Sequence, residues 1–196
     1  VLLPLHPALI VVGENFRFGH RAAGNVQTLR ELGQGRFEVE GLRLVRFGDE
    51  ETCSTVIRQA LADGDVAHAA KHLGRPFRFS GLVAHGDHRG RELGFPTANL
   101  VPQPGMIVPA FGVYACRAHG HAAAVSVGVR PTFVTGLGEL IEAYLIGYRG
   151  DLYGQTLRVE FLRRLRGERR FESAEALIAQ MQRDVEGAQA VVGAAG

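Results

Sequence analysis

The sequence predicts an α/β segment followed by a small β-barrel and a C-terminal helix. Up to Gly74, short apolar runs alternate with helical patterns, an order typical of a parallel sheet with crossover helices. From Arg75 onward, five or six short strand patterns follow one another with turns between them, which favours a closed antiparallel barrel. We therefore place a domain boundary at residues 74–76 and expect two domains, residues 1–74 and 75–196.

The composition is that of an ordinary globular protein. Hydrophobic residues make up 46% of the 196 residues, charged residues make up 21%, and the formal net charge is +2. No apolar run approaches the roughly 18 residues of a membrane-spanning helix, and this charge balance indicates no nucleic-acid partner. Cys53 and Cys116 lie too far apart for a CxxC metal site and favour a reducing compartment. We expect a cytoplasmic protein with neither a nucleic-acid nor a membrane partner.

The first 74 residues predict two strands and three helices. The chain opens on Val1 rather than Met, and the apolar run 8–12 predicts a strand buried on both faces, so we expect an earlier part of this domain to be missing. A glycine-punctuated loop at 13–24 follows at the strand end where α/β sheets bind ligands. The remaining predicted elements are a helix over 25–32, a strand within 37–47 centred on 42–45, a helix from Ser54 to Asp63 and a helix from Asp65 to Leu73, closed by Gly74.

The second part predicts barrel strands and one long helix. His119 and Gly120 predict a hairpin turn between two of these strands. Alternating apolar residues predict strands at 77–83, 112–118, 122–127, 140–148 and 156–165. Ser173 is placed to cap a helix whose apolar stripe is Leu177, Ile178, Met181 and Val185. The last six residues, VVGAAG, have nothing to hold them, and we expect them to fray.

The segment GDHRGRELGFPTANL, residues 86–100, is a candidate phosphate site. It combines three glycines, a proline and two side chains with neutral oxygens: Gly86, Gly90, Gly94, Pro96, Thr97 and Asn99. The glycines permit positive φ and the close approach of a ligand. The hydroxyl of Thr97 and the amide oxygen of Asn99 suit Mg²⁺ when nucleotide phosphates complete its coordination shell. From the residues alone, a polar loop between two strands is an equally good interpretation.

Two glutamates of the barrel strands are candidates for the general base that phosphoryl transfer to a hydroxyl requires. Alternation places Glu142 on the face of Leu140 and Tyr144, an otherwise apolar face where burial would raise the pKa of the carboxyl. Glu160 lies opposite the apolar face of its own strand, beside Arg158, as a solvated charge would. We favour Glu142 as the base; the alternative is a structural pairing with a buried arginine.

Arginines of the later turns are further candidate ligands for phosphate. Arg130 follows a strand and precedes Pro131, which suits either a ligand-facing loop or a simple turn. The run RRLRGERRF, residues 163–171, predicts either a solvated face or a mobile flap. In the flap, Phe171 would stack on a planar ligand and arginines such as Arg169 would bind phosphate.

Several motifs, in a fixed order, resemble those of a known enzyme family. PTAN, GVRPTF, DLYG and RRLRGERRFES lie in a stretch, residues 75–189, that resembles the riboflavin kinase module. VVGENFRFGHRAAG and CSTVIRQAL, which precede it, resemble the later half of an FMN adenylyltransferase module. The chain is thus similar to the bacterial bifunctional riboflavin kinase/FMN adenylyltransferases, or FAD synthetases, without the first part of the adenylyltransferase module.

The resemblance implies a six-stranded Greek-key barrel that follows the later half of a Rossmann-like nucleotidyltransferase domain. It implies that Thr97 and Asn99 ligate Mg²⁺ together with ATP, and that Glu142 deprotonates the terminal ribityl hydroxyl of riboflavin. FMN and ADP would be the products. The glycine-rich flap of the family corresponds to residues 86–94, which include Arg91, and its flavin-side loop corresponds to residues 166–171.

The adenylyltransferase motifs are incomplete in this sequence. The family's HxGH motif is absent. The later family motif, Ile-Ser-Ser-Thr-x-Ile-Arg, keeps Ser54, Thr55 and Arg58, to which the resemblance assigns ATP phosphates, but has Cys53 in place of the first serine. We expect riboflavin kinase activity without FMN adenylylation. We also expect poor order or self-association of residues 1–74, because half of a parallel sheet exposes an edge and apolar surface.

A nucleic-acid-binding barrel is the alternative function. Small Greek-key barrels often bind single strands through basic and aromatic side chains. Only the arginines of residues 163–170 support this alternative, because the predicted strands carry no interleaved aromatic residues. A steep loss of oligonucleotide binding with rising salt would favour it over the kinase.

Overall fold

The chain folds as two compact units, Val1–Cys53 and Ser54–Gly196. The computed structural model describes residues 3–86, 90, 94–103, 105–132 and 136–195, with residues 3, 130–132 and 136–139 described by their backbone alone. The units divide before the predicted boundary at residues 74–76, because the two helices that precede the boundary share the hydrophobic core of the barrel. The assignment of residues 1–74 and 75–196 to two family domains stays a prediction.

The first unit contains a parallel strand pair connected by a helix. Its elements are short 3₁₀ helices at Leu3–Leu5 and His20–Ala22, β1 (Leu9–Gly13), α1 (Val26–Gly33), β2 (Glu38–Leu42), β3 (Arg46–Phe47) and β4 (Glu50–Glu51). Strands β1 and β2 pair in parallel, and α1 forms the crossover that parallel pairing requires. Strands β3 and β4 form a separate antiparallel pair.

Two expectations for the first unit are wrong. Strand β1 is not buried on both faces, since Leu9 and Val11 are each 49% exposed in a sheet that has only two strands in the described part of the chain. The second strand is not centred on residues 42–45, because its pairing with β1 runs from Glu38 to Leu42. Pairing with a neighbouring strand, which the sequence pattern does not show, sets these bounds.

Two helices precede the barrel, and both have the predicted bounds. They are α2 (Ser54–Asp63) and α3 (Val66–Leu73). Asp65 caps α3, since its carboxylate accepts a hydrogen bond of 2.9 Å from the His68 backbone N–H. Gly74 ends α3 in the left-handed conformation, with φ of 67°.

The second unit is dominated by a closed antiparallel barrel of six strands. The strands are β5 (Phe77–Ala84), β6 (Ala98–Val101), β7 (Gly112–Ala118), β8 (His121–Thr132), β9 (Gly136–Leu145) and β10 (Thr156–Arg166). Their order around the barrel is β10-β5-β6-β9-β8-β7. Strands β7, β8 and β9 are successive neighbours and β10 returns beside β7, which is the Greek-key order. The predicted six-stranded Greek-key barrel is confirmed.

Alternate residues of the strands fill the barrel interior. Leu157, Val159 and Phe161 of β10 are buried, as alternation predicts. The ring of Phe161 meets the ring of Tyr114 edge to face, with 5.3 Å between centroids. Burial among these side chains raises the pKa of the Cys116 thiol well above its ordinary value, because a thiolate is poorly solvated there.

The final helix, α4 (Ala174–Ala194), is longer than predicted. The Ser173 hydroxyl accepts a hydrogen bond of 3.2 Å from the Ala176 N–H and begins the helix. Val185 is buried, whereas Ile178 of the predicted stripe is 37% exposed. The expected fraying is wrong for residues 191–194, because these residues extend an existing helix and need no new nucleation.

Candidate functional site

Neighbouring strands bring an amide, a carboxylate and a hydroxyl together. Asn99 of β6 lies directly opposite Glu142 of β9, and Ser126 of β8 lies opposite Glu142 on its other side. Opposed residues of antiparallel strands share one face of the sheet, with Cβ atoms about 4.5–5.5 Å apart. Asn99 is buried and Glu142 is half-buried. The three residues therefore form a polar row across the barrel wall.

The structure overturns one reason for choosing Glu142. The buried face of β9 consists of Ile141, Ala143 and Leu145, each at most 5% exposed. Glu142 and Tyr144 lie on the opposite, half-buried face. Both faces of this strand carry apolar residues, so alternation alone could not identify the one that fills the barrel. Glu142 remains the candidate base because of its polar neighbours rather than an apolar face.

The glycines that precede β6 lie against the polar side chains. A Cβ at Gly86 would overlap the side-chain amide of Asn99, and a Cβ at Gly90 would overlap the Phe95 carbonyl oxygen and lie 3.2 Å from the Thr97 Oγ1. Gly94 alone of the three predicted glycines has a positive φ, of 85°. Gly86 is therefore needed for close packing against the Asn99 amide, and Gly90 for its close approach to the Phe95 carbonyl beside Thr97, rather than for a left-handed backbone.

A cavity of about 340 Å³ lies beside Thr97. The segment before β6 contributes Pro96 and Thr97 to its lining, β9 contributes Ala143, and the turn between β9 and β10 contributes Tyr148 and residues 150–153. Its size falls within the range of roughly 300–1,000 Å³ that is typical of small-molecule sites. Thr97 thus belongs both to the glycine-packed segment and to this cavity.

Hydrogen bonds and ring stacking hold the turn that lines the cavity. The Asp151 carboxylate accepts a hydrogen bond of 2.9 Å from the Tyr153 N–H, and the Asp151 carbonyl accepts one of 2.8 Å from Gln155. The ring of Tyr153 stacks on His85 at 4.0 Å between centroids. None of these residues was among the predicted site residues, although the DLYG motif that contains two of them was a usable signal.

Tyr148 is held by two histidines. The rings of His119 and His121 each contact the Tyr148 ring in an edge-to-face arrangement, with 5.4 Å between centroids in both pairs. The Nδ1 of His121 lies 3.1 Å from the Ile146 carbonyl oxygen, which joins β8 to the end of β9. Contacts across the barrel therefore position this aromatic part of the cavity wall, and no local sequence pattern predicts them.

Phe171 lies against the arginines of its own loop. The guanidinium carbons of Arg166 and Arg169 are each 5.7 Å from its ring centroid. Arg166 also forms a bidentate salt bridge with the buried Asp184 of α4, with Nε–Oδ1 and Nη2–Oδ2 distances of 3.0 and 2.8 Å. The arginine-rich segment is thus attached to α4, which neither interpretation of the sequence had foreseen.

The remaining predicted site residues lie in other places. Ser54, Thr55 and Arg58 are exposed on α2. Arg130 belongs to β8, where its backbone pairs with Gly138, and its side chain is not described. Arg91 lies outside the described residues. The barrel therefore brings together only part of the predicted set, namely the residues of β6 and β9 and the segment before β6.

Glu160 is not the solvated charge that the sequence predicts, because it is mostly buried and paired with arginines. Its side chain is 18% exposed, and one carboxylate oxygen accepts a hydrogen bond of 2.8 Å from Arg78. The other oxygen lies 3.9 Å from the Arg117 guanidinium. Register across β5, β10 and β7 creates this arrangement, because Arg78 and Arg117 are its two opposed residues.

Family models match both parts of the chain. A riboflavin kinase model matches residues 73–192, and an FAD synthetase model matches residues 1–56. The bifunctional riboflavin kinase/FMN adenylyltransferase of Listeria monocytogenes is 34% identical over 93% of the chain, and that of Escherichia coli is 38% identical over 92%. The chain spans about three fifths of the length of these relatives.

A solved structure supports the same fold. It is described as a macrolide-efflux protein from Streptococcus pneumoniae, is 34% identical, and has a TM-score of 0.78 over 93% of this chain and 60% of its own.

Within the described residues, no helix has the length and apolar character needed to cross a bilayer. The family matches favour a flavin kinase over the alternative of a nucleic-acid-binding barrel.

Proposed function

The chain belongs to the riboflavin kinase family, and from this membership we propose that it transfers the terminal phosphoryl group of ATP to riboflavin. The products are FMN and ADP. The observation that carries the proposal is the opposition of Asn99 and Glu142 on neighbouring strands of the matched barrel. Phosphoryl transfer needs oxygen ligands for a metal-bound triphosphate and a carboxylate near the attacking hydroxyl.

Glu142 is the proposed general base. Its carboxylate accepts the proton of the terminal ribityl hydroxyl while the oxygen of that hydroxyl bonds to the γ-phosphorus. The bond between the γ-phosphorus and the β,γ-bridging oxygen breaks, and ADP leaves with the bonding electrons. The half-buried position of Glu142 beside Asn99 supports this role, since the carboxylate keeps an accessible side.

The side chains of Thr97 and Asn99 fit a magnesium ion. A hydroxyl and an amide oxygen are hard donors of the kind that Mg²⁺ accepts alongside phosphates. Gly86 and Gly90 pack against these two side chains, which supports a fixed donor geometry. When bound, Mg²⁺ would neutralise charge on the phosphates of ATP.

The cavity beside Thr97 is proposed to receive the planar ring system of ATP. Its lining by Tyr148, Leu152 and Tyr153 supports this, because aromatic and apolar side chains suit a flat heterocycle. The other predicted ligands keep their proposed roles toward phosphate or flavin. They are Arg91 and Gly94 of the flap, Arg169 and Phe171 of the flavin-side loop, and Arg130, Ser54, Thr55 and Arg58.

We also propose that the protein is cytoplasmic and has no nucleic-acid partner. The two free cysteines and the small net charge support this.

Incubation with riboflavin, ATP and Mg²⁺, followed by chromatography of the flavins, tests the proposal. FMN is the expected product. No FAD is expected, because the 196 residues contain no HxGH motif. A folded, monodisperse sample that forms no FMN would contradict the kinase assignment. FAD made from FMN and ATP would contradict the second expectation alone.

A further inference from the structure

A second cleft, of about 440 Å³, lies on another part of the barrel wall. Its lining includes Ser80, Arg117, His119, Gly120, Arg158 and Glu160. These residues belong to β5, β7, β10 and the turn after β7, which are neighbours in the order β5-β10-β7. The candidate kinase site lies on β6 and β9 instead. None of the predicted site residues lines this cleft.

Positive charge exceeds negative charge in the cleft. Glu160 is the one carboxylate of its lining, and it is shared between Arg78 at 2.8 Å and Arg117 at 3.9 Å. Arg158 lies opposite Ser80, and in the described part of the chain it has no ion-pair partner. The two guanidinium groups of the lining, those of Arg117 and Arg158, and its one carboxylate leave an excess of one positive charge, and Arg78, outside the lining, further neutralises that carboxylate.

The polar groups of the cleft match the chemistry of a phosphate group. Guanidinium groups bind phosphate oxygens through paired, charge-assisted hydrogen bonds. Arg117 is only partly exposed, and it is held near Glu160 so that less conformational entropy is lost when it binds a ligand. The hydroxyls of Ser80 and Thr156 offer additional donors. A cation would meet the same excess of positive charge and is disfavoured.

We propose that this cleft binds a small phosphorylated anion through Arg117 and Arg158. Its volume exceeds that of the cavity beside Thr97 and lies within the range of roughly 300–1,000 Å³ for small-molecule sites. The inference is independent of the proposed kinase activity, because neither Arg117 nor Arg158 is among the residues proposed for that activity.

Nuclear magnetic resonance of the isotope-labelled full chain, titrated with inorganic phosphate, tests the inference. We expect saturable shifts of the Ser80, Gly120 and Thr156 amide resonances. The double variant Arg117→Gln/Arg158→Gln should bind at least about tenfold more weakly, because two charge-assisted hydrogen-bonding groups are lost. The control Arg75→Gln removes an exposed guanidinium whose hydrogen bond is to the Pro76 carbonyl outside the cleft, and it should leave the affinity unchanged.

Two results would overturn the inference. One is a set of shifts confined to the residues around Asn99, which would place phosphate at the candidate kinase site only. The other is equal affinity in the double variant and the parent chain. If the double variant is unfolded by circular dichroism, Arg158→Gln alone gives the same comparison, since this exposed side chain has no described ion pair to lose.

Discussion

At the scale of single residues, the proposed chemistry depends on two side chains that lie opposite each other, Asn99 and Glu142. Asn99 is 8% exposed and confined by Gly86, so its amide has little freedom to move away. Glu142 is less buried. The two groups are not interchangeable, because an ionised carboxylate accepts a proton whereas an amide oxygen is a neutral ligand.

Glu142→Gln should lower kcat by roughly 10²- to 10⁴-fold, the usual effect of losing a general base. Glutamine keeps the shape of the side chain, so the KM for riboflavin should change little. Steady-state kinetics with both substrates measure the two effects separately. Glu186→Gln, an exposed change on α4, is the matched control and should keep the parent kcat. An unchanged kcat in Glu142→Gln would refute the assignment.

Asn99→Ala should raise the KM for ATP and the Mg²⁺ concentration needed for half-maximal rate together, each by about tenfold or more. The reason is the loss of one oxygen ligand of the proposed metal site. Gly86→Ala gives an independent check, because its Cβ would displace the same amide, and it should change the same two quantities. A change confined to the KM for riboflavin would contradict this role.

At the scale of elements, a charged cluster joins the end of β10 to the middle of α4. Arg166, the last residue of β10, donates hydrogen bonds to both carboxylate oxygens of Asp184 through Nε and Nη2, and Gln180 donates another of 2.9 Å. Phe171 and Arg169 lie within the loop that this cluster closes. The flavin-side loop proposed for this chain therefore has a charged anchor at its base.

Asp184→Asn should lower the free energy of unfolding by about 2–4 kcal/mol, because it leaves a partly buried guanidinium without its counter-charge. Urea denaturation followed by circular dichroism measures the change. Asp63→Asn removes an exposed carboxylate that accepts hydrogen bonds from Gln59, and it should cost less than about 0.5 kcal/mol. Equal stability of the two variants would show that the pair does not anchor α4.

At the scale of the whole molecule, the two units differ in how well each buries its apolar residues. The barrel unit encloses a continuous core of buried side chains. In the first unit, Leu9, Val11 and Val45 are each about half exposed or more, and the parallel sheet has two strands in the described residues. The free energy of local opening is therefore expected to be lower in the first unit.

Limited proteolysis should cut the first unit and leave a resistant fragment that begins near residue 54, because α2 and α3 share the core of the barrel. Mass spectrometry of the fragments over time gives the cleavage positions. Size-exclusion chromatography of the same sample shows whether the chain is monomeric, because self-association would protect exposed apolar surface. A first unit that resists cleavage as well as the barrel does, in a monomer, would refute the expected poor order.

The sequence by itself determined the elements whose signals are local. Asp65 and Gly74 define α3, Ser173 begins α4, and the positive φ angles of His119 and Gly120 form the predicted hairpin turn. The family motifs likewise identify the residue types of the candidate site. These signals act over a few neighbouring residues, so they remain visible without the fold.

Only the tertiary structure decided which residues share a face or a cavity. Strand β6 has four residues and no polar alternation, so nothing in the sequence predicted that Asn99 would pair with Glu142. The cavity wall around Tyr148 depends on histidines from another hairpin. Such contacts join residues far apart in sequence, and their partners are set by barrel closure and strand register rather than by local propensity.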